Sequence, residues 1–495
     1  MRAGTGDCHR SAVTVTLRWR IEDDPPVTVV LTGSSLTLDE VVRVARGGER
    51  VEIAPASLDA MFASRALAER IAADGQDAYG VTTGVGVRKR VRVEQEGHDG
   101  LLVRQHLIGQ GPPLPGDVVR AATLRLANGL ALGRSSARPE VCERLVAALN
   151  ADELPAVRTL GSTGQADLAQ SADLVHGLDF ELAPGEGIAL LNQNAFSTGH
   201  GALALHDALR LLDTLDVAGA LDLEALAANV DSHLHPAIGD TRPSPGVCQT
   251  LDRLRALVAG SGVAARSLQD PLTFRTLPQL HGAARDALAF VRAQVELELN
   301  THQSNPLAVL EEGRFVSVGN FDSTGLTTAL DLARITVAQI LTAAAGRAVK
   351  LLQAPLTGLP DGLGERDGLA ESALSELGIA VQSIASEARL LAAPVSLDLV
   401  STTQAEGIED RASMAPLGAR RLAEQVELGA RTIAIELLLA AQACDLRGEP
   451  LGAGTALAHG RVRSVVPFVG EGDGLPDLEP LVVLVRSGTI HDPAP

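Results

Sequence analysis

A helical pattern that is apolar nearly all round is the feature that most limits what this chain can fold into. Over about residues 199–227, Ala and Leu recur at helical spacing and apolar residues lie nearly all round. A helix that is apolar on every side has to be surrounded by protein, so this segment predicts a helix buried inside a bundle. Similar patterns follow at about 279–300, 325–351, 367–391 and 414–446, with a shorter one at 477–487. Breaks fall at Gln269-Asp270-Pro271, Asn305-Pro306, Pro355–Gly364 and Pro394. Aromatic residues are only 2% of the 495 residues, against 45% hydrophobic, so the core must be aliphatic. Ala and Leu favour helix, and the expected fold class is all-α.

The N-terminal part is mixed. Residues 1–26 read as an extension, with a strand-like alternation over 14–20 ended by Asp23-Asp24-Pro25-Pro26. Val27–Gly33 and Val51–Ile53 read as strands, and a helix opening at 35–40 runs to Gly47-Gly48 between them. Ser57 is expected to cap a helix over about 58–73. Further helices are expected at about 98–109, 116–132, 137–150 and 167–177. The boundaries drawn are an extension at 1–26, an N-terminal region at 27–225 and a helical bundle at 226–495.

Net charge is −19 with a pI near 5.1, which opposes nucleic-acid binding and binding to anionic membranes. No apolar run approaches the roughly 20 residues needed to span a bilayer, and no signal peptide is recognised, so a cytoplasmic location is expected. Cys8, Cys142, Cys248 and Cys444 are far apart, and no disulfide framework is expected. The histidines lack the i, i+4 spacing of a helical metal pair, so no metal is expected. Lys89 and Lys350 are the only lysines, which we read as compositional bias towards Arg.

Chemistry concentrates in a few segments. Tyr79, the only tyrosine, stands in the glycine-rich loop Ala78-Tyr79-Gly80-Val81-Thr82-Thr83-Gly84-Val85-Gly86, where it can serve as a mobile acid or base or pack as a turn residue. His106 ends a helical pattern. Arg275, after Gln269-Asp270-Pro271, can clamp a carboxylate or join an interhelical ion pair. Glu409-Asp410-Arg411 precedes a long helix, where acidic residues suit the dipole. The loop Gly161-Ser162-Thr163-Gly164-Gln165-Ala166-Asp167 opens another helix as a weak candidate anion cradle.

Taken together and in order, these segments resemble the aromatic amino acid lyase family of histidine and phenylalanine ammonia-lyases and related aminomutases. The resemblance runs from about Leu31 to Ile490. It is carried by the Tyr79 loop, Leu102-Val103-Arg104-Gln105-His106, Leu124–Asn128, Glu186-Gly187 with Leu191-Asn192, Gln269–Arg275, Pro278-Gln279, Asn305-Pro306-Leu307, Gly319-Asn320-Phe321, Ser386-Glu387 and Glu409–Met414. It implies a long central helical bundle behind a small mixed N-terminal region. It also implies a homotetramer whose active sites are shared between subunits and take a small-molecule substrate. By the same resemblance, Tyr79 and Glu409 are catalytic, and His106, Asn192, Gln269, Arg275 and Phe321 bind substrate.

One departure dominates. The family builds its electrophile, a methylidene-imidazolone, by cyclising Ala-Ser-Gly within Gly-Ser-x-Gly-Ala-Ser-Gly-Asp-Leu-Ala-Pro. Here Gly164-Gln165-Ala166-Asp167 is one residue short, with Gln165-Ala166 where the tripeptide belongs. No serine remains to dehydrate and no glycine nitrogen to close the ring, so no prosthetic group is expected. Leu272 stands where the family has tyrosine, Thr82 where the loop usually has Asn, and Arg411 where histidine ammonia-lyases have His. The expectation is a repurposed acid/base enzyme rather than an ordinary ammonia-lyase. The alternatives are a non-catalytic binding or scaffold protein, or a partner subunit of an intact relative.

Overall fold

The computed structural model describes residues 28–93, 97–368, 373–397 and 404–490. The expected extension and its strand over 14–20 lie outside the described residues. The Ala/Leu patterns become five bundle helices: α1 (Ala195–Leu226), α2 (Leu277–Leu299), α3 (Thr324–Leu351), α4 (Leu377–Leu391) and α5 (Ala415–Arg447). Among the described residues the fold is mostly helical, with three two-stranded sheets. One aliphatic core runs from Val29 to Ile490.

Small residues set how closely the helices approach. A Cβ on Gly429 of α5 would stand 2.6 Å from the Leu211 side chain of α1, so any larger residue would push that leucine out of place. Helix α3 is long and apolar enough to cross a membrane by length and composition, but 72% of its most apolar window is buried inside the protein.

Buried charges punctuate this apolar packing. Arg347 of α3 lies 2.7 Å from Asp222 of α1 and 2.7 Å from Glu436 of α5, and all three side chains are fully buried. Burial first, then the neighbouring Glu436, hold the Asp222 carboxyl well above the usual carboxylate range. Because Asp222, Arg347 and Glu436 all lie in the C-terminal halves of their helices, and Ser323 and Ser413 join the starts of α3 and α5, α1, α3 and α5 run in the same direction. Helix α4 runs the other way, since Leu352 at the end of α3 packs beside Gly378 at the start of α4.

At the N-terminal end, Val29–Leu31 pairs in parallel with Val51–Ile53 across the helix Leu38–Gly47, which Thr37 and Glu40 close with a capping box. Several expectations need correction. The next helix starts at Pro55 with Ala54 as its cap, and Ser57 is buried in the first turn and caps nothing. Proline is pre-shaped for the first helical position, which moves the start forward. The helix expected over 98–109 spans His98–Gln105, because Gln110–Pro113 pairs antiparallel with Arg158–Leu160. The helix expected from 367 begins at Leu377. Pro245–Leu257 and Ala453–Val465 are two further helices.

Arg347→Met removes the cation between two buried acids. It is expected to destabilise the fold by about 3–5 kcal/mol in urea unfolding, whereas a loss below about 1 kcal/mol would show that the triad contributes little.

Candidate active site

The glycine-rich loop 161–167 sits where four helices begin. Asp167 opens the helix Leu168–Gly177 and accepts hydrogen bonds at the start of α1, from Ser197 N–H at 2.7 Å and the Ser197 hydroxyl at 2.6 Å. Ser413, before α5, donates to the Gly164 carbonyl at 3.0 Å and lies 2.7 Å from Ser323, before α3. Met414 N–H donates to the Thr163 carbonyl at 2.9 Å. A Cβ on Gly164 would fall 2.1 Å from the Ser413 hydroxyl, and φ there is +87°, so only glycine fits. The positive helix ends meet carboxylates, Asp167 at α1 and Asp322 on Thr324 N–H (2.9 Å) at α3.

Between Gly164 and Ala166 (φ +70°), Gln165 projects from a tight reverse turn. Its backbone pairs with Asp322. Its side-chain Nε2 donates to the Glu409 carbonyl at 3.0 Å and to the Arg411 carbonyl. Two carbonyls at one end of an amide define that end as the nitrogen, because an oxygen there would meet two acceptors.

The loop forms one wall of a cavity of about 390 Å³, lined also by Tyr79, His106, Asn192, Phe321, Glu409 and Arg411. Tyr79 is half-buried, and its hydroxyl accepts from Gly86 N–H at 3.0 Å. Burial is the main influence raising the Tyr79 pKa above the ordinary phenol value, and the Glu409 charge adds to it. Tyr79 therefore keeps its proton at neutral pH. The loop carrying it is tied by Gly84 N–H to Val91 O (2.9 Å) and by Val93 N–H to Thr82 O (3.0 Å). His106 ends the helix His98–Gln105. With Nδ1 donating to the Leu102 carbonyl at 2.8 Å, Nε2 is left as an acceptor in the neutral ring. Asn192 donates to the Asn305 carbonyl at 3.2 Å, and Asn194 donates to the Phe321 carbonyl. Arg411 pairs with Asp322 at 3.1 Å, and Lys89 with Glu406 at 2.8 Å. Among the described residues no group of three or more His, Cys, Asp or Glu is placed to hold a metal ion.

Comparison with known proteins agrees with this architecture. The family model for aromatic amino acid lyases matches residues 36–179 and 175–464. The chain belongs to the aromatic amino acid lyase family. It is 35% identical over 474 residues to a histidine ammonia-lyase of Streptococcus gordonii, covering 89% of this chain and 91% of that protein. Among solved structures it resembles the tyrosine aminomutase of Streptomyces globisporus, with 28% identity, a TM-score of 0.88, and 94% of this chain and 98% of that one covered. It also resembles the ergothionase of Treponema denticola, with 25% identity, a TM-score of 0.87, and 94% and 99% covered.

Within one chain, Gln269 and Arg275 do not join this cavity. They line a second one of about 490 Å³ with His233, Thr276 and Gln279. The reason is the length of α3. The turn Leu272–Arg275 packs against Gly346 and Arg347 near the far end of α3. Thr324, where α3 begins beside Gln165, is some 22 residues earlier, or about 33 Å along the helix. Arg275 there contacts Gln269 at 3.5 Å, and Asp270 is held by His233 at 2.7 Å.

Local sequence missed Lys89, Asn305, Asp322 and Ser413 as cavity residues, because each reaches the site from a distant segment. The signal for Ser413 was its place just before a long helix. Glu186 proves to be structural: it is fully buried and paired with Arg138 at 2.7 Å.

Burial pushes the Asp167 carboxyl up to about 6. An acid whose folded pKa is raised favours the folded state while protonated, and that contribution fades as pH climbs from about 4 to about 6. Asp167→Asn should therefore gain roughly 3 kcal/mol relative to the parent protein across that window. Paired urea titrations at the two ends would read this, and a constant difference between the proteins would contradict the assignment.

Proposed function

We propose that this chain is a family member working without a methylidene-imidazolone. It would run general acid/base chemistry, namely elimination, addition, cyclisation or isomerisation, on a small carboxylate or carbonyl-containing substrate. The observation that carries this reading is Gln165. A clamped glutamine and an alanine in left-handed conformation occupy the turn where the electrophile would be built. The residues present do not fit that group, since neither the serine nor the glycine its ring requires is available. The substrate must then be acidified by its own carbonyl, because each 1.4 kcal/mol of lost activation costs about tenfold in rate and one tyrosine cannot restore many such factors.

Tyr79, protonated and half-buried, is suited to donate a proton, with Glu409 close enough to influence its charge. His106 Nε2 is oriented to accept one. Asn192 and Phe321 bound the space between them. A homotetramer with shared sites belongs to the same reading. Bundles running head to tail would bring Gln269 and Arg275 of one copy to the Tyr79 cavity of another. Exposed apolar side chains on α2 (Phe290, Leu297), α3 (Ile335) and α4 (Ile379, Leu390) support such packing. A cytoplasmic enzyme of bacterial specialised metabolism completes the proposal, supported by the acidic composition.

The test is turnover. Ammonia release from histidine or phenylalanine should be absent. In a screen of carbonyl-bearing acids that yields an active substrate, Tyr79→Phe should lower the rate by at least about 100-fold, as expected for loss of a positioned acid or base. Full activity in Tyr79→Phe would reject the mechanism.

A further inference from the structure

Two segments far apart in the chain meet at the cavity. Val85 and Lys89, from the end of the Tyr79 loop, line it together with Ile408 and Glu409, from the segment before α5. Gly86 N–H donates to the Tyr79 hydroxyl at 3.0 Å, and Lys89 N–H closes the same turn on the Gly86 carbonyl at 3.2 Å. The Lys89 ammonium pairs with Glu406 at 2.8 Å, and Arg90 approaches the same carboxylate at 3.8 Å. Gly86 also packs beside Ala405, since a Cβ on it would stand 3.6 Å from the Ala405 methyl. The lone tyrosine is thus tied to one short turn, and that turn is tied to Glu406.

The conformation that presents Glu406 is costly. Ala405 (φ +52°) and Glu406 (φ +60°) are both left-handed, a region that residues with a Cβ rarely adopt, so contacts from outside must hold the segment. The ion pair is too exposed to supply that hold: the Lys89 side chain is 23% exposed and that of Glu406 57%, and such pairs add little by themselves. The stronger hold comes from the other side. Gln165 Nε2 donates to the carbonyls of Glu409, at 3.0 Å, and Arg411, which fastens the backbone just beyond Glu406 to the turn 164–166. We infer that Gln165 is a positioning residue for Tyr79: by fixing residues 409–411, its amide sets Glu406 to receive Lys89 and so holds the tyrosine loop against the cavity. The same amide holds the backbone of Glu409, whose charge acts on the Tyr79 phenol. This rests on the acid/base reading for the use made of Tyr79, but it concerns the resting loop, and no substrate enters it.

Tyr79 is the only tyrosine in the chain, so it reports on its own loop without interference. The full-length protein is treated at pH 7 with N-acetylimidazole, which acetylates phenols that solvent reaches, and the initial rate of modification of the Tyr79 peptide is followed by mass spectrometry. Gln165→Met keeps length and bulk but removes the donor, and it should raise the rate at least about fivefold, the size of one hydrogen bond. Lys89→Met should raise it about threefold, within the range for an exposed ion pair, whereas Lys89→Arg, which still reaches Glu406, should keep the parent rate. The double variant Gln165→Met/Lys89→Met should react no faster than Gln165→Met alone, because the ion pair is already lost there. An unchanged rate in Gln165→Met, or effects that multiply in the double variant, would overturn the inference. Where Gln165→Met loses its helical circular dichroism, Gln165→Asn, a methylene too short to reach both carbonyls, is judged by the same two criteria. Failure of the acid/base reading shows in turnover, and failure of this one shows in a labelling rate measured without substrate, so the two are distinguishable.

Discussion

Arg347 is the point on which the architecture depends. It lies buried between Asp222 and Glu436, one carboxylate from each of the helices flanking its own. Helices rich in Ala and Leu offer few features to prevent sliding, since one small apolar side chain packs much like the next. A guanidinium in a dry interior cannot move away from both acids without stranding charge, so the triad sets how α1, α3 and α5 align. Its outer guanidinium nitrogen also reaches the Thr273 carbonyl at 3.5 Å, beneath the turn that carries Arg275.

The aligned helices place chemistry at their two ends. At one end their N-termini surround the loop 161–167, and Asp167, Ser197, Ser323 and Ser413 knit the starts together. The Tyr79 cavity opens there. At the other end Gln269 and Arg275 form a separate cavity. The two sets of residues thus stand at opposite ends of one bundle, and that separation is what the proposed shared-site tetramer would bridge.

The long helices were legible because their Ala/Leu spacing persists over many turns, and their observed ends lie within a few residues of the expected ones, except at the start of α4. Among the cavity members, Tyr79 stood out in its own glycine-rich loop, whereas His106, Asn192, Phe321 and Glu409 were legible only through the family resemblance. Local reading failed where structure depends on distant partners. Ser57 looked like a cap until Pro55 took the first helical position. The short strands at Leu307–Val309 and Arg314–Val316 are stabilised by each other, and no pattern within either run announces them. Charged residues inside apolar helices, such as Asp222 and Arg347, do carry a signal, because a buried charge must find a partner, but the sequence alone does not say which partner it finds.

Gln165 concentrates what this family member has changed. In the proposed reading, a frame suited to an electrophile surrounds a shortened turn, and the Gln165 side-chain amide reaches the Glu409 and Arg411 carbonyls instead. Whether the turn stays as translated is the central question, and the intact mass of the purified protein answers it most directly. The account predicts a mass equal to that of the unmodified sequence, with no added ultraviolet band relative to the unfolded chain. A mass lower by two water molecules, mapped to the peptide containing Gly161–Asp167, would mean that a ring has formed after all and would contradict it.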